Sequence, residues 1–320
     1  MELIYTRCLG ESSILLPYFA LRPKLELLKS ISTGAATKFL TLAILKDVGL
    51  EVPPQSVQHK IAAILSAYDD LIENNTRRIQ ILEEMARAIY REWFVNFRFP
   101  GHEDVKMVDS ELGPIPEGWE VRTISDFGQI HTGKTPSKKI AEYFGGTIPF
   151  IKPPDMHGRM FCIETGDTLS EQGALSQENK TLPPDSLCVS CIGTPGLVVI
   201  THSRCQTNQQ INSIVLNNIE DREYLYFALV SLKPTIERYA ATGATMPNLS
   251  KGKFESLRLL YPGAENVSLF HNLLAPMFGQ ISNLQLRCIN LRQARDFLLP
   301  KLISGEINVE NLSIATMEEC

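Results

Sequence analysis

Residues 61–93 read IAAILSAYDDLIENNTRRIQILEEMARAIYREW, and this stretch decides the fold. At alternating spacings of four and three it places Ile61, Leu65, Tyr68, Ile72, Asn75, Ile79, Leu82, Ala86, Ile89 and Trp93, of which only Asn75 is strongly polar. A period of 3.5 residues is the seam of a coiled coil, although an amphipathic helix lying on a globular core shows similar spacing. Residues 270–302, FHNLLAPMFGQISNLQLRCINLRQARDFLLPKL, repeat the pattern 209 residues later. Their seam is Phe270, Leu274, Met277, Ile281, Leu284, Cys288, Leu291, Arg295, Leu298 and Leu302, interrupted only by Arg295. Two such seams in register predict a pair of long coiled-coil helices. Asn75 either fixes their register, as buried seam asparagines do, or sits at a partly exposed fray. Each helix would run for about 40 residues and about 60 Å. The first is expected from near Gln55, after Pro53-Pro54, to near Phe94, before Phe99-Pro100-Gly101; the second runs from near Ala264 to before Gly305. Opposite charges at helical spacing, such as Glu73–Arg77 and Glu83–Arg87, belong on the solvated faces.

The helices are the ends of a larger repeat. Tyr18-Phe19-Ala20-Leu21 returns as Tyr226-Phe227-Ala228-Leu229, Thr33-Gly34-Ala35 as Thr242-Gly243-Ala244, and Val52-Pro53 aligns with Tyr261-Pro262. Between the helices, residues 101–114 are polar and turn-rich and read as a linker. Residues 115–262 alternate short strand-like runs (Trp119–Arg122, Ile148–Lys152, Leu187–Ile192, Leu197–Thr201, Asn212–Leu216) with turn signals such as Gly193-Thr194-Pro195-Gly196. A helix is expected from Asp221 to about Ala240, with Pro234 able to break it. The fold class is α+β: a mixed-sheet module plus a partial one, joined by two long antiparallel helices. The expected organisation is 1–54 partial module, 55–100 first helix, 101–114 linker, 115–262 complete module, 263–304 second helix and 305–320 tail.

The chain has 320 residues and a net charge of -5, from 31 Lys and Arg against 36 Asp and Glu. That balance argues against nucleic-acid binding by bulk positive charge, while leaving room for a local basic patch. No run of about 20 apolar residues marks a membrane span, and the start lacks a basic region followed by an apolar run. Seven scattered cysteines fit a reduced, cytoplasmic protein.

Several strings in this order resemble the specificity (S) subunit of type I restriction–modification systems. They are Pro116-Glu117-Gly118-Trp119-Glu120, Gly133-Lys134-Thr135-Pro136-Ser137, Tyr143-Phe144-Gly145-Gly146-Thr147-Ile148-Pro149-Phe150, Asn208-Gln209-Gln210-Ile211-Asn212 and Thr242-Gly243-Ala244-Thr245-Met246-Pro247-Asn248-Leu249-Ser250. Asp69-Asp70-Leu71-Ile72-Glu73-Asn74-Asn75 and Trp93-Phe94-Val95-Asn96-Phe97 resemble the family's first conserved region. The resemblance implies two target-recognition domains separated by antiparallel helices, and a non-catalytic DNA-recognition role. It also implies a bipartite DNA target with a spacer set by the helices. The partners it implies are double-stranded DNA, methyltransferase subunits (two of them) and restriction subunits. S-adenosylmethionine, ATP and Mg would be carried by those partners and no cofactor by this chain. One departure is that the first copy of the repeat begins only near Leu15, so the chain is expected to be an S subunit truncated at its N-terminus. The alternative is a coiled-coil scaffold, a remnant that holds partner subunits without reading DNA.

The residues themselves carry no enzyme signature. Lys152-Pro153-Pro154-Asp155 has the wrong ends for an amino-methyltransferase loop, no glycine-rich cofactor fingerprint follows a strand, and no P-loop is present. No catalytic residue and no metal ligand is assigned. Cys188 and Cys191, with Cys162 and Cys205 nearby, invite a zinc reading. They sit in an apolar strand-like run, however, where residues three apart face opposite sides. DNA contact is expected from polar turns. Lys134, Thr135, Ser137, Lys138 and Lys139, with Lys152, can meet phosphates, or simply form a solvated loop. Asn208, Gln209 and Gln210 can pair with adenine edges, or form a structural amide network. Thr242, Thr245, Asn248, Ser250 and Lys251 form a further candidate edge, or a turn that orients the next strand. Thr33, Thr37 and Lys38 stand at the matching place in the first copy. The module 115–262 holds 14 Lys and Arg against 15 Asp and Glu, so binding by this chain alone is expected to be weak, with partners neutralising much of the phosphate charge.

Overall fold

The computed structural model describes residues 25–33, 39–42, 44, 53–241 and 248–312. The chain forms two compact units, residues 1–77 with 287–320 and residues 78–286, and the division falls inside both long helices. Helix α1 is Leu25–Ile31, α2 is Gln55–Tyr90 and α7 is Ala264–Ile303. The starts of α2 and α7 lie 209 residues apart, the offset of the sequence repeat.

In the first unit, Ile61 and Leu65 of α2 are buried with Leu299 and Leu302 of α7 and with Val309. Further along, Arg295 pairs with Asp69 and, at 3.0 Å, with Asp296. The Cys288 thiol donates to the Ile72 carbonyl at 3.8 Å. Rising numbers on α2 meet falling numbers on α7, so the helices run antiparallel. Asn75 is buried. Lys60 donates to the Glu310 carbonyl at 2.6 Å, which ties down the turn after α7.

In the second unit the seam turns aromatic. Past Tyr90, α2 widens into a π-helical turn, Arg91–Val95, closed by the Asn96 N–H donating to the Arg91 carbonyl at 2.9 Å. The side chains of Asn96 and Arg98 donate to Glu92 at 2.7 and 3.0 Å, which fastens the exit. The Phe94 ring lies 4.8 Å from Phe270 and 5.9 Å from Trp119, so the Trp93-Phe94 string joins the helix end to the module.

The stretch read as a linker contains a hairpin, β1 (Met107–Ser110) and β2 (Gly113–Pro116). Its turn places Gly113 at φ +97°, a conformation that glycine adopts without strain. The hairpin is short and leaves three of the four β1 residues exposed, so it shows no apolar alternation in the sequence. β3 (Glu120–Thr123) pairs with β12 (Arg258–Tyr261). The main sheet is mixed, in the order β4 (Gly128–Thr132), β11 (Ile211–Leu216), β8 (Leu187–Ser190), β9 (Val198–Thr201), β6 (Phe161–Cys162). All its pairings are antiparallel except β6 with β9. A second sheet has β5 (Phe144–Ile151) between β10 (Gln206–Thr207) and β7 (Asp167–Leu169). β8 and β9 are buried on both faces, which is why they read as unbroken apolar runs. Leu187, Val189, Ile200 and Ile214 face the core shared with the helix aromatics. Cys188, Val199 and Ile211 face a smaller core with Ile151 and Met156.

The expected helix 221–240 is two helices, α4 (Arg222–Ser231) and α5 (Lys233–Ala240), with Pro234 in the first turn of α5, where its missing N–H costs nothing. The fully buried Glu223 on α4 accepts from Arg222 and pairs with His271 of α7 at 2.7 Å. Two short helices complete the module, α3 (Glu171–Leu175) and α6 (Lys251–Glu255).

Candidate nucleic-acid interface

Four loops of the second unit meet along one edge of the module. The first, residues 133–139, leaves β4 at Gly133, whose N–H donates to the Ile211 carbonyl at 3.1 Å. A Cβ on Gly133 would stand 2.2 Å from the Asn208 carbonyl and from Thr207 Oγ1. Only glycine lets the two backbones approach this closely. Lys134 N donates to the Thr207 carbonyl at 2.9 Å, and its own carbonyl accepts from Gln177 Nε2 at 2.6 Å. With its backbone clamped, this loop presents Lys134, Ser137, Lys138 and Lys139 to solvent, while Thr135 is half-buried.

The second loop, residues 208–210, is joined to the first by Thr135, whose hydroxyl donates to Gln209 Oε1 at 2.7 Å. The third, residues 191–196, is tied to the second by Cys191 N, which donates to the Gln210 carbonyl at 2.7 Å. Residues 248–251 close the row: Asn248 bridges to Ile192, and Leu249 N donates to the Cys191 carbonyl at 2.9 Å. Ser190 Oγ accepts from Leu197 N at 2.9 Å and donates to the Thr194 carbonyl, which shapes the Gly193–Gly196 turn.

The three consecutive amides differ. Asn208 is buried, Gln210 half-buried and Gln209 exposed. Asn208 Nδ2 donates to Gln210 Oε1 at 2.8 Å, and Asn208 Oδ1 accepts from Gln210 N at 3.1 Å. The structural-network alternative therefore describes Asn208 and Gln210. Asn248 is exposed. Ser250 caps α6 by accepting from Lys253 N at 3.5 Å, and Lys251 pairs with Glu255 at 3.3 Å. Lys152 follows Ile151, whose carbonyl accepts from Asn208 N at 3.1 Å, so it stands beside the second loop; its ammonium pairs with Asp167 and sits over the Phe150 ring, so its charge is already partnered. Thr242 and Thr245 lie outside the described residues, as do Thr37 and Lys38; Thr33 bridges to Phe39. Exposed Thr194 belongs to the edge and was not singled out from the sequence. Its Gly-Thr-Pro-Gly turn, straight after a buried strand, is the signal that could have found it.

Cys188 and Cys191 face opposite cores and cannot grip one ion together. Burial pushes the Cys188 thiol up to about 12 and that of Cys191 to about 11, which keeps both protonated rather than as metal-binding thiolates. Among the described residues no group of three His, Cys, Asp or Glu side chains is placed to hold a metal. No helix among them is long and apolar enough to cross a membrane.

Every seam position is buried or half-buried. On α2, Ile61, Leu65, Ile72, Asn75 and Ala86 are buried, while Tyr68, Ile79, Leu82, Ile89 and, in the following turn, Trp93 are half-buried. On α7, Phe270, Leu274, Ile281, Leu284, Cys288, Arg295 and Leu302 are buried, while Met277, Leu291 and Leu298 are half-buried.

A family model described as the type I restriction modification DNA specificity domain matches residues 13–84 and 116–272. The chain belongs to the type I restriction–modification specificity family. Each matched stretch covers part of one copy of the internal repeat, and the first is much shorter than the second. As a specificity subunit the chain serves DNA recognition rather than catalysis. The specificity subunit of the Haemophilus influenzae type I restriction enzyme HindI is 32% identical, over 88% of this chain and 74% of that protein. That of the Methanocaldococcus jannaschii enzyme MjaIX is 29% identical, over 90% of this chain and 67% of that protein. Among solved structures, the S subunit of a type I restriction–modification system from M. genitalium superposes with a TM-score of 0.58 at 16% identity, over 91% of this chain and 72% of that one. It shares the specificity-subunit fold.

Proposed function

We propose that the four-loop edge is the DNA face of this specificity subunit, and that the chain directs a type I complex to a bipartite target. The supporting observation is convergence: loops far apart in sequence are locked side by side through backbone contacts, while Lys134, Ser137, Lys138, Lys139, Thr194, Gln209 and Asn248 face outward. Lysines of this kind contact phosphates, and exposed amides and hydroxyls read base edges. Residues 115–262 act as the complete recognition domain and residues 1–54 as part of another. The long helices fix the distance between half-sites and dock two methyltransferase subunits, to which restriction subunits add. S-adenosylmethionine travels with the methyltransferase, and ATP with Mg travels with the restriction subunits. The assembly works in the cytoplasm.

A scaffold that holds partner subunits without reading DNA is the second reading. It draws on Ile81, Met85 and Ala88, which line one exposed stripe of α2. Binding of the chain plus its methyltransferase to a selected duplex separates the two. DNA reading predicts that replacing Lys134, Lys138 and Lys139 together by Ala lowers the salt slope by about one for every lysine that meets a phosphate. No sequence-selective binding by the wild-type complex would leave the scaffold. Inserting one heptad in both helices should also lengthen the preferred spacer, and an unchanged spacer would sink the ruler role.

A further inference from the structure

Within that DNA-reading assignment, we infer that Gln209 is the base-reading residue of this edge, selecting adenine in the major groove, and that Thr135 is the positioning residue that orients its amide. Residues 208–210 place three amides in succession, and the fold uses them unequally. Asn208 and Gln210 bond to each other, through Nδ2 to Oε1 at 2.8 Å and through the Gln210 N–H to Oδ1 at 3.1 Å. Gln210 Nε2 also points to the Ile192 carbonyl at 3.5 Å. Asn208 thus braces its own loop, and Gln210 also reaches the neighbouring one. Gln209 stands between them and faces solvent.

An exposed glutamine on a free loop samples many rotamers, and ordering it on DNA has an entropic cost. Gln209 is already restrained, because the half-buried Thr135 donates its hydroxyl to Oε1 at 2.7 Å across 74 residues of sequence. Thr135 is itself set by Gly133 and Lys134, whose N–H groups are clamped to Ile211 and Thr207. A carbonyl oxygen has two lone pairs, so Oε1 keeps one acceptor position and Nε2 keeps two donors. One donor beside one acceptor matches adenine, which offers its N6 amine and its N7 in the major groove. Lys134, Lys138 and Lys139 beside the pair supply phosphate contacts that carry no sequence information.

The test is selection from a randomised duplex library by the chain in complex with its methyltransferase. The wild type should prefer adenine at one position by about ten- to a hundred-fold, the range of a good bidentate contact. Gln209→Ala should flatten that position and leave the others intact. Gln209→Glu should shift the same position toward cytosine, whose N4 amine donates to a carboxylate. Thr135→Val, which keeps shape and removes the hydroxyl, should weaken the preference at that position and add nothing in the Gln209→Ala background. Thr135→Ser should retain the preference. An unchanged motif in Gln209→Ala, or a loss spread evenly over all positions, overturns the assignment of Gln209. A Thr135→Val effect at a different position overturns the positioning role. A wild-type complex that selects no motif overturns the DNA-reading assignment itself, and the wild-type arm alone reveals it.

Discussion

The two halves of the helix pair use the same heptad for different ends. Toward the start of α2 and the end of α7 the seam is aliphatic, with Ile61, Leu65, Leu299 and Leu302, and carries charge in Arg295 with Asp69. Toward the end of α2 and the start of α7 it is aromatic, and Tyr90, Phe94, Phe270 and Phe278 merge with the core of the recognition module. Aliphatic side chains interrupted by a few buried polar ones specify register. Large rings clustered from three parts of the chain weld a domain to its support. The first half behaves as a rod and the second as an anchor.

The largest effect should come from breaking the anchor. Phe270 is fully buried against Phe94 and Trp93, so Phe270→Ala should cost about 3–5 kcal/mol in urea unfolding. The contrast fails if Leu298→Ala, at a half-buried site in the rod, costs as much. Next comes the polar layer. Asp69→Ala leaves buried Arg295 with Asp296 as its carboxylate partner and should cost about 1–3 kcal/mol, reduced because Asp69 is itself over a third exposed. Arg295→Leu should be close to neutral in stability while loosening register, which crosslinking between cysteines placed on α2 and α7 would detect.

Asp221 sharpens the picture on the module side. Burial raises its carboxyl to about 6 despite the opposing Arg122, and its Oδ1 has no hydrogen-bond partner among the described residues. The unfolded chain would titrate near 4, so folding takes up a proton between those values. Stability from this group is full below about pH 4 and is lost as pH rises through about 6. Asp221→Asn should therefore gain about 1–2 kcal/mol at pH 8, discounted for partial solvation, with the gain fading toward pH 4. A constant gain across that range would contradict burial of the charged carboxylate as the cause. The smallest effect is expected at Met85 on the exposed stripe of α2. Met85→Ser should shift stability by under about 0.5 kcal/mol and weaken methyltransferase binding if that stripe is a docking face.

The helix pair was legible because a 3.5-residue apolar period survives any context, and Pro53-Pro54 and Pro262-Gly263 mark both starts. The widening at Arg91–Val95 was not, since nothing in Arg-Glu-Trp-Phe-Val distinguishes a π turn from an α turn. Within the module, β8 and β9 announced themselves as apolar runs, but β10 is only Gln206–Thr207, two buried polar residues that no hydrophobic pattern reveals. The order of strands rests on pairings across long stretches of sequence, such as β11 with β4. At the edge, the loops were legible from their Gly, Lys and amide content. The division of labour among Asn208, Gln209 and Gln210 was not, because identical chemistry is sorted only by which atoms the fold sets beside each side chain. Lys152 resembles the other lysines in sequence, and only the fold sets Asp167 beside it.

The central claim is that this edge sets the DNA sequence a type I complex modifies. Methylome sequencing of cells with the chain, without it, and with the Lys134, Lys138 and Lys139 triple Ala variant tests it most directly. A bipartite methylated motif should vanish without the chain and be methylated less completely, with unchanged bases, in the variant. A methylome identical in all three would contradict it.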